Sequence, residues 1–265
     1  MDQLEKKNDY FSNLRITTFE DCSYRYKLRY IDKLKSDFSG IEVFMGQAVH
    51  YALEQFYRDF QLNIKRDKQD IINYYNSYWD KGFNDKILIV KKDLSASDYR
   101  SKGIKFLWEY FDRFKPFLHH EIIDVEVLDT IKLSNDDSYY IKIDLLTKDE
   151  KGTYFVCDYK TGNKHFTQSE LDQDLQLPMY ALWVKKRYPD AMDIKLVWFY
   201  LSHNTVMISN LTDKRLMNTK KIVEKKIENI KNQKKFPANP STLCNWCSYK
   251  DICPYWKNQG FEWDV

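Results

Sequence analysis

The sequence predicts an α/β fold: a mixed central β-sheet flanked by helices, with a helical N-terminal part and a C-terminal cysteine cap. Three observations carry this reading. The first third of the chain places apolar residues at helical spacing. The middle alternates β-rich runs with one helical run, so the sheet is crossed by a helix and mixed in direction. The tail from Phe236 holds three of the five cysteines. Of the 265 residues, 43% are hydrophobic and 16% aromatic, enough apolar surface to build a core. One domain over 1–265 is expected, helical over about 10–118, with the sheet core over about 119–235 and a cap at 236–265 that closes onto Cys22.

Each element has its own signal. Thr17-Thr18-Phe19-Glu20 has the form of a capping box, with Thr17 and Glu20 as the reciprocal pair, and predicts a Tyr- and Arg-rich helix to about Ile31. Val49, Leu53 and Phe56 predict a helix from about Met45 to Phe60. Further helical patterns run over Lys68–Trp79 and Ser97–Phe117, the latter stopped by Pro116. Strands are expected at Ile122–Leu133, Tyr139–Leu146 and Thr153–Tyr159, the last two joined by the turn Lys148–Gly152. A helix over Leu171–Tyr188, ended by Pro189, leads to strands at Ile194–Ser202 and Val206–Leu211. A Lys-rich helix over Asp213–Lys235 precedes the tail.

Composition excludes several function classes. The seven glycines form neither a dinucleotide-binding fingerprint nor a phosphate loop, so any motor acting with this chain is a separate one. A net charge of +3 does not by itself indicate nucleic-acid binding. The first ten residues lack an apolar signal region, and no apolar run approaches the ~18 residues of a membrane span. The expectation is a cytoplasmic protein with no membrane association, in which grouped cysteines hold metal rather than disulfides.

The hairpin carries the chemistry. Asp158 and Lys160, two apart on one strand, share a face. Asp144 on the neighbouring arm lies within cross-strand reach. Two carboxylates can hold a hard divalent cation such as Mg²⁺, and a nearby lysine can orient a water or offset charge on a phosphate. That combination suits cutting a phosphodiester. His50, in Gly46-Gln47-Ala48-Val49-His50, fits either a hydrogen-bonded helical histidine or a further ligand that shifts preference toward Mn²⁺. Gln176 and Tyr180, four apart, share a helix face and fit surface positions or support of a metal or phosphate. Alternation makes Glu126 solvent-facing, with a third acidic group near the metal as the other reading. Cys244, Cys247 and Cys253, spaced C-x₂-C-x₅-C, need a fourth ligand. Cys22 is the natural one, because Cys157 lies in an apolar strand. Spacing does not separate zinc from an iron–sulfur cluster. The Lys-rich helix reads as a solvated face, with phosphate contact as the alternative.

Taken in order, Gly46…His50, Asp144, Asp158-x-Lys160 and Gln176…Tyr180 resemble the RecB-like branch of the PD-(D/E)xK nuclease superfamily. Thr17–Tyr26 looks like the family's opening, with Ser23 where a proline is usual after the cysteine, and Lys142 stands where a glycine is common. The cysteines are similar to the iron–sulfur staple of the AddB nuclease domain and of CRISPR-associated RecB-like exonucleases. The resemblance implies a restriction-endonuclease-like fold, DNA with a single strand or free ends as substrate, and Mg²⁺ or Mn²⁺ as cofactor. Asp144, Asp158 and His50 would hold the metal, Lys160 would position the water, and Gln176 and Tyr180 would support Lys160 or touch DNA. It implies a structural 4Fe–4S cluster on Cys22, Cys244, Cys247 and Cys253, with zinc the runner-up. Recombination, repair, phage DNA metabolism or CRISPR adaptation, with a separate helicase or recombination partner, would be its setting. The alternative is an inactive iron–sulfur DNA-binding subunit of a helicase–nuclease complex.

Overall fold

A computed structural model describes residues 10–36, 38–114, 120–164 and 166–257. The chain opens with a two-residue strand, β1 (Tyr10–Phe11), and helix α1 (Asn13–Asp21). Ser12 caps α1, its hydroxyl accepting from the Arg15 amide at 3.1 Å. The capping box expected at Thr17–Glu20 does not form. Thr17 lies inside the helix and donates its hydroxyl to the Leu14 carbonyl, the usual way a mid-helix threonine satisfies itself. The single helix expected to Ile31 is divided by Cys22 into α1, a short α2 (Ser23–Tyr26) and a π-helical turn over Lys27–Ile31. Three longer helices follow, α3 (Ile41–Gln61), α4 (Lys68–Gly82) and α5 (Ala96–Phe114). Two short parallel strands, β2 (Ser39–Gly40) and β3 (Ile87–Leu88), tie the start of α3 to the α4–α5 connection. The expected stop at Pro116 lies outside the described residues.

The main sheet has six strands: β1 and β4 (Glu121–Lys132), β5 (Ser138–Lys148), β6 (Tyr154–Lys160), β7 (Ile194–Tyr200) and β8 (Thr205–Asn210). β1 pairs parallel with β5 and β6 parallel with β7; the other pairings are antiparallel. The sheet is mixed, as expected. Between β6 and β7 the expected single helix is two, α6 (Gln168–Asp172) and α7 (Gln176–Arg187). Asp174 stops the first and caps the second by accepting from the Leu177 amide at 3.0 Å. Pro178 then sits in the first turn of α7, where a missing N–H costs nothing. The Lys-rich helix is α8 (Asp213–Asn232), and the cap ends in α9 (Pro254–Lys257).

The two sheet faces carry separate cores. On one, α3, α4 and α5 pack over Val125, Leu145, Cys157, Tyr159 and Val197. On the other, α7 and α8 pack over Ile143, Leu146, Val156, Leu196 and Trp198. Cys157 is a core residue, as its apolar strand suggests. Strict alternation fails at one register position. Val125 and Val127 enter opposite cores, and so do Leu145 and Ile143. The residues between them are Glu126 and Asp144, which stand opposite one another on β4 and β5. Glu126 has φ +51°, a left-handed conformation that is rare inside a strand and characteristic of functional positions.

Gly103 on α5 shows how tightly the helical face is packed. A Cβ there would stand 2.2 Å from the hydroxyl of the buried Tyr75. Alanine would normally favour a helix over glycine, yet Gly103→Ala is expected to destabilise the chain by about 1–3 kcal/mol. Gly162→Ala, with no atom beyond its chain neighbours within 4 Å of the added carbon, should stay within about 0.5 kcal/mol of the parent. Urea unfolding of both variants checks this, and a neutral Gly103→Ala would contradict the packing described.

Candidate active site

β4 occupies one edge of β5 along its length, so β1 and β6 must share the other. β1 takes Ser138 and Tyr139, and β6 takes Leu145–Lys148. Pairing between β5 and β6 stops at Leu145 opposite Cys157. The next position in register sets Asp144 against Asp158. There the ladder bond is replaced by a side chain: Asp144 Oδ2 accepts from the Tyr159 amide at 2.8 Å. The carbonyl of the same residue accepts from His50 Nε2 at 3.0 Å. Facing only a carbonyl, Nε2 carries the proton. Nδ1 then points at Asp144 Oδ1, 3.3 Å away, and at Glu126 Oε1, 4.0 Å away. Carbonyl on one nitrogen and carboxylates on the other is the arrangement that aims Nδ1 at a cation.

His50, Glu126 and Asp144 each offer a ligand atom within 4.8 Å of the others. Of the two readings of Glu126, the structure supports the acidic group beside His50 and Asp144 over the solvent-facing one. The Glu126 side chain is only 11% exposed, because the left-handed backbone turns it into the site. Its position in register with Asp144 is the signal that could have found it. Lys142 swings to Glu126 Oε2 at 3.1 Å rather than crowding Asp144.

On the α7 face, Asp158, Lys160 and Gln176 form a closed ring. Lys160 Nζ lies 2.7 Å from Asp158 Oδ2 and donates to Gln176 Oε1 at 3.0 Å. Gln176 Nε2 donates to Asp158 Oδ1 and to the Tyr180 hydroxyl, both at 3.1 Å. One amide thus orients the carboxylate and the ammonium together. The structure brings His50, Asp144, Asp158, Lys160, Gln176 and Tyr180 into one place from α3, β5, β6 and α7.

The charges disturb one another. Burial, with repulsion from Asp144, raises Asp158 to about 6 despite the Lys160 ammonium. Burial and the Asp144 carboxylate raise Glu126. Burial would raise Asp144 too, but His50 and the Tyr159 amide outweigh it and hold it low. For His50, burial opposes charge, yet Asp144 and then Glu126 and Asp158 outweigh it and raise the imidazole to about 9. Lys160 is raised as well, its burial outweighed by Asp158.

Below the site, a chain of buried hydroxyls fixes Tyr159. Tyr57 and Tyr110 share a hydrogen bond of 2.5 Å, and Tyr110 and Tyr159 one of 3.2 Å. At the start of α3, a Cβ on Gly46 would stand 2.9 Å from Thr161 Oγ1, so glycine lets the helix close on the residue after Lys160.

Away from the hairpin, Cys22, Cys244, Cys247 and Cys253 line one cavity with Arg25, Tyr249 and Trp256. Cys22 Sγ accepts from the Arg25 and Asn239 amides at 3.5 and 3.4 Å, and Cys244 Sγ from the Ser241 amide at 3.4 Å. Along α8, Lys220 pairs with Glu224, Lys226 with Glu20 and Lys231 with Asp137, which favours the solvated-face reading. No helix among the described residues is long and apolar enough to cross a membrane.

A family profile described as the PD-(D/E)XK nuclease superfamily matches residues 10–254. Among solved structures, a candidate exonuclease from Eubacterium rectale aligns over 99% of this chain and 93% of its own, with a TM-score of 0.55 and 12% identity. At that identity the likeness is one of fold. The structure of SSO0001 aligns over 78% of this chain and 95% of its own, at 14% identity and a TM-score of 0.32, which carries no argument. No curated protein matches the chain.

Because the folded pKa of His50 is raised, its protonation stabilises the metal-free fold fully below the unfolded value of 6.5, and this is lost as pH rises through about 9. The stability difference between the parent and His50→Gln, in chelator, is expected to shrink by roughly 2–3 kcal/mol from pH 6.5 to 9.5. Urea unfolding at several pH values measures it, and a pH-independent difference would contradict the assignment.

Proposed function

The chain belongs to the PD-(D/E)XK nuclease superfamily, and from that premise we propose that it is a divalent-metal-dependent deoxyribonuclease. The finer reading is an exonuclease or end-processing nuclease of the RecB-like branch, hydrolysing phosphodiester bonds. The observation that carries it is the convergence of His50, Asp144 and Asp158-x-Lys160 on the peptide of Tyr159.

The residues fit a hard divalent cation, Mg²⁺ or Mn²⁺. Asp144 and Asp158 are buried, only 6% and 5% exposed, and sit at facing positions. With Glu126 they form an acidic group whose mutual repulsion a dication would relieve. Asp144, Asp158 and His50 Nδ1 are the proposed ligands, with Glu126 beside them. When bound, such an ion would activate a water and offset charge growing on the phosphate. The side chains divide the remaining work. Lys160 holds its ammonium where it can orient that water or neutralise its charge. Gln176 sets the distance between Lys160 and Asp158, and Tyr180 holds Gln176. The Tyr159 carbonyl keeps the His50 proton on Nε2 and leaves Nδ1 for the metal.

The substrate proposed is DNA with a single strand or free ends, in recombination, repair, phage DNA metabolism or CRISPR adaptation, alongside a separate helicase or recombination partner in the cytoplasm. Residues 1–265 are read as one domain whose cap closes onto Cys22. A 4Fe–4S cluster on Cys22, Cys244, Cys247 and Cys253 is the proposed staple. Amide donors to two of the sulfurs support thiolate ligation. The likeness of this cysteine pattern to the iron–sulfur staple of RecB-like nucleases is the ground for the cluster, with zinc the runner-up.

End-labelled DNA digestion tests the reading. The parent chain should digest DNA with Mg²⁺ or Mn²⁺ and stop in chelator. Lys160→Ala and Asp158→Asn should each lose at least ~100-fold in rate while still binding DNA. Digestion by Lys160→Ala at the parent rate would overturn it.

A further inference from the structure

The exposed face of α3 leads away from the candidate site to an aromatic surface on the cysteine cap. Val43, Gln47 and His50 are spaced four and three apart, so they lie in one row on the helix. Val43 is 57% exposed and Gln47 is exposed, while Phe44, Met45, Ala48 and Val49 between them are buried. The row begins at Gly40, where a Cβ would stand 3.9 Å from Trp246 Cδ1. Trp246 belongs to the cap and remains 39% exposed; Phe38, two residues before Gly40, is 42% exposed. The cap is joined to the same segment by the Tyr249 hydroxyl, which donates to the Leu34 carbonyl at 2.9 Å. Arg29, Lys33 and Lys35 on that segment are exposed. Among the described acids nearby, Glu42 accepts from the Tyr99 hydroxyl at 2.7 Å with one oxygen and brings the other, buried, to 3.6 Å from the Gly40 Cβ position, while Asp32 pairs with Lys27 at 2.6 Å.

Exposed aromatic rings beside a segment that carries exposed cations, and a row of side chains leading to metal-ligand candidates, suit a single nucleic-acid strand: rings stack on bases and cations track the phosphates. The interior of a duplex hides its base faces and offers nothing for Trp246 to stack on. We infer that Trp246, with Phe38, is a stacking platform for single-stranded DNA, and that the strand runs from it along Val43 and Gln47 to the site at His50. The inference rests on the proposed nuclease reading and names the substrate form that this site takes. Gly40 and His50 are ten residues apart on the helix, roughly 15 Å at 1.5 Å per residue. A single strand of a few nucleotides spans that distance, so the platform and the site are reached together only by oligonucleotides longer than a dinucleotide.

The test uses the full chain with Mg²⁺ and labelled single-stranded oligonucleotides of two to twelve nucleotides. For the longer ones, Trp246→Ala should raise KM roughly five- to hundredfold with kcat little changed, and Trp246→Phe should restore most of the loss. The penalty should be confined to oligonucleotides long enough to span from the site to the platform. A penalty of equal size on dinucleotides, or none at any length, would overturn the inference. Fluorescence anisotropy with the same oligonucleotides keeps it testable should the chain cut no DNA, an outcome that would count against the nuclease reading alone. Weaker binding by Trp246→Ala than by Trp246→Phe supports the platform, and equal binding by both variants and the parent refutes it.

Discussion

The peptide of Tyr159 is the constraint on which the site depends. The N–H of this residue donates to Asp144 and its C=O accepts from His50, so the backbone of one residue joins β5, β6 and α3. A strand at this position would ordinarily exchange ladder bonds with its neighbour. Here the β5–β6 ladder ends two residues before Tyr159, at Leu145 opposite Cys157, and the Asp144 carboxylate supplies the missing acceptor. The ring of Tyr159 is held from the opposite direction by the hydroxyls of Tyr110 and Tyr57. Asp158 and Lys160, on either side of this residue, are thereby held toward α7.

That arrangement concentrates charge where water is scarce. Asp144, Asp158 and Glu126 would repel one another if left alone. The side chains share the compensation: His50 answers Asp144, Lys160 answers Asp158, and Lys142 answers Glu126. Each pairing is made with a group of opposite sign from a different part of the chain or a different turn of the strand. The left-handed backbone at Glu126 is strain kept by the surrounding sheet, which is anchored on both faces by separate cores. A dication in the proposed site would take over part of that compensation.

Much of this was legible in the sequence, for local reasons. The two-residue period of a strand placed Asp158 and Lys160 on one face, and the helical period placed Gln176 beside Tyr180. The apolar run before Asp158 marked a buried strand, and the lone early cysteine with the C-x₂-C-x₅-C tail marked a pair of segments that meet at one cavity. What escaped depended on geometry that no local period encodes. For Glu126 the solvent-facing reading stood ahead of the acidic-group reading because alternation assumes a regular strand, and its φ of +51° breaks that assumption. The capping box at Thr17 failed because a threonine hydroxyl can be satisfied by the preceding turn as well as by a helix start. The division of one helix into α6 and α7 followed from Asp174 acting as a cap inside a continuous helical pattern. The pairing of β1 with the start of β5 joins residues more than a hundred positions apart, which composition cannot reveal.

The central claim is that Asp144, Asp158 and His50 hold the catalytic cation. Anomalous diffraction from a crystal soaked in Mn²⁺ tests it most directly. The account predicts a manganese peak in bonding contact with both carboxylates and with Nδ1 of His50. A peak elsewhere, with these three side chains still bonded only to one another and to Lys160 and Tyr159, would contradict it.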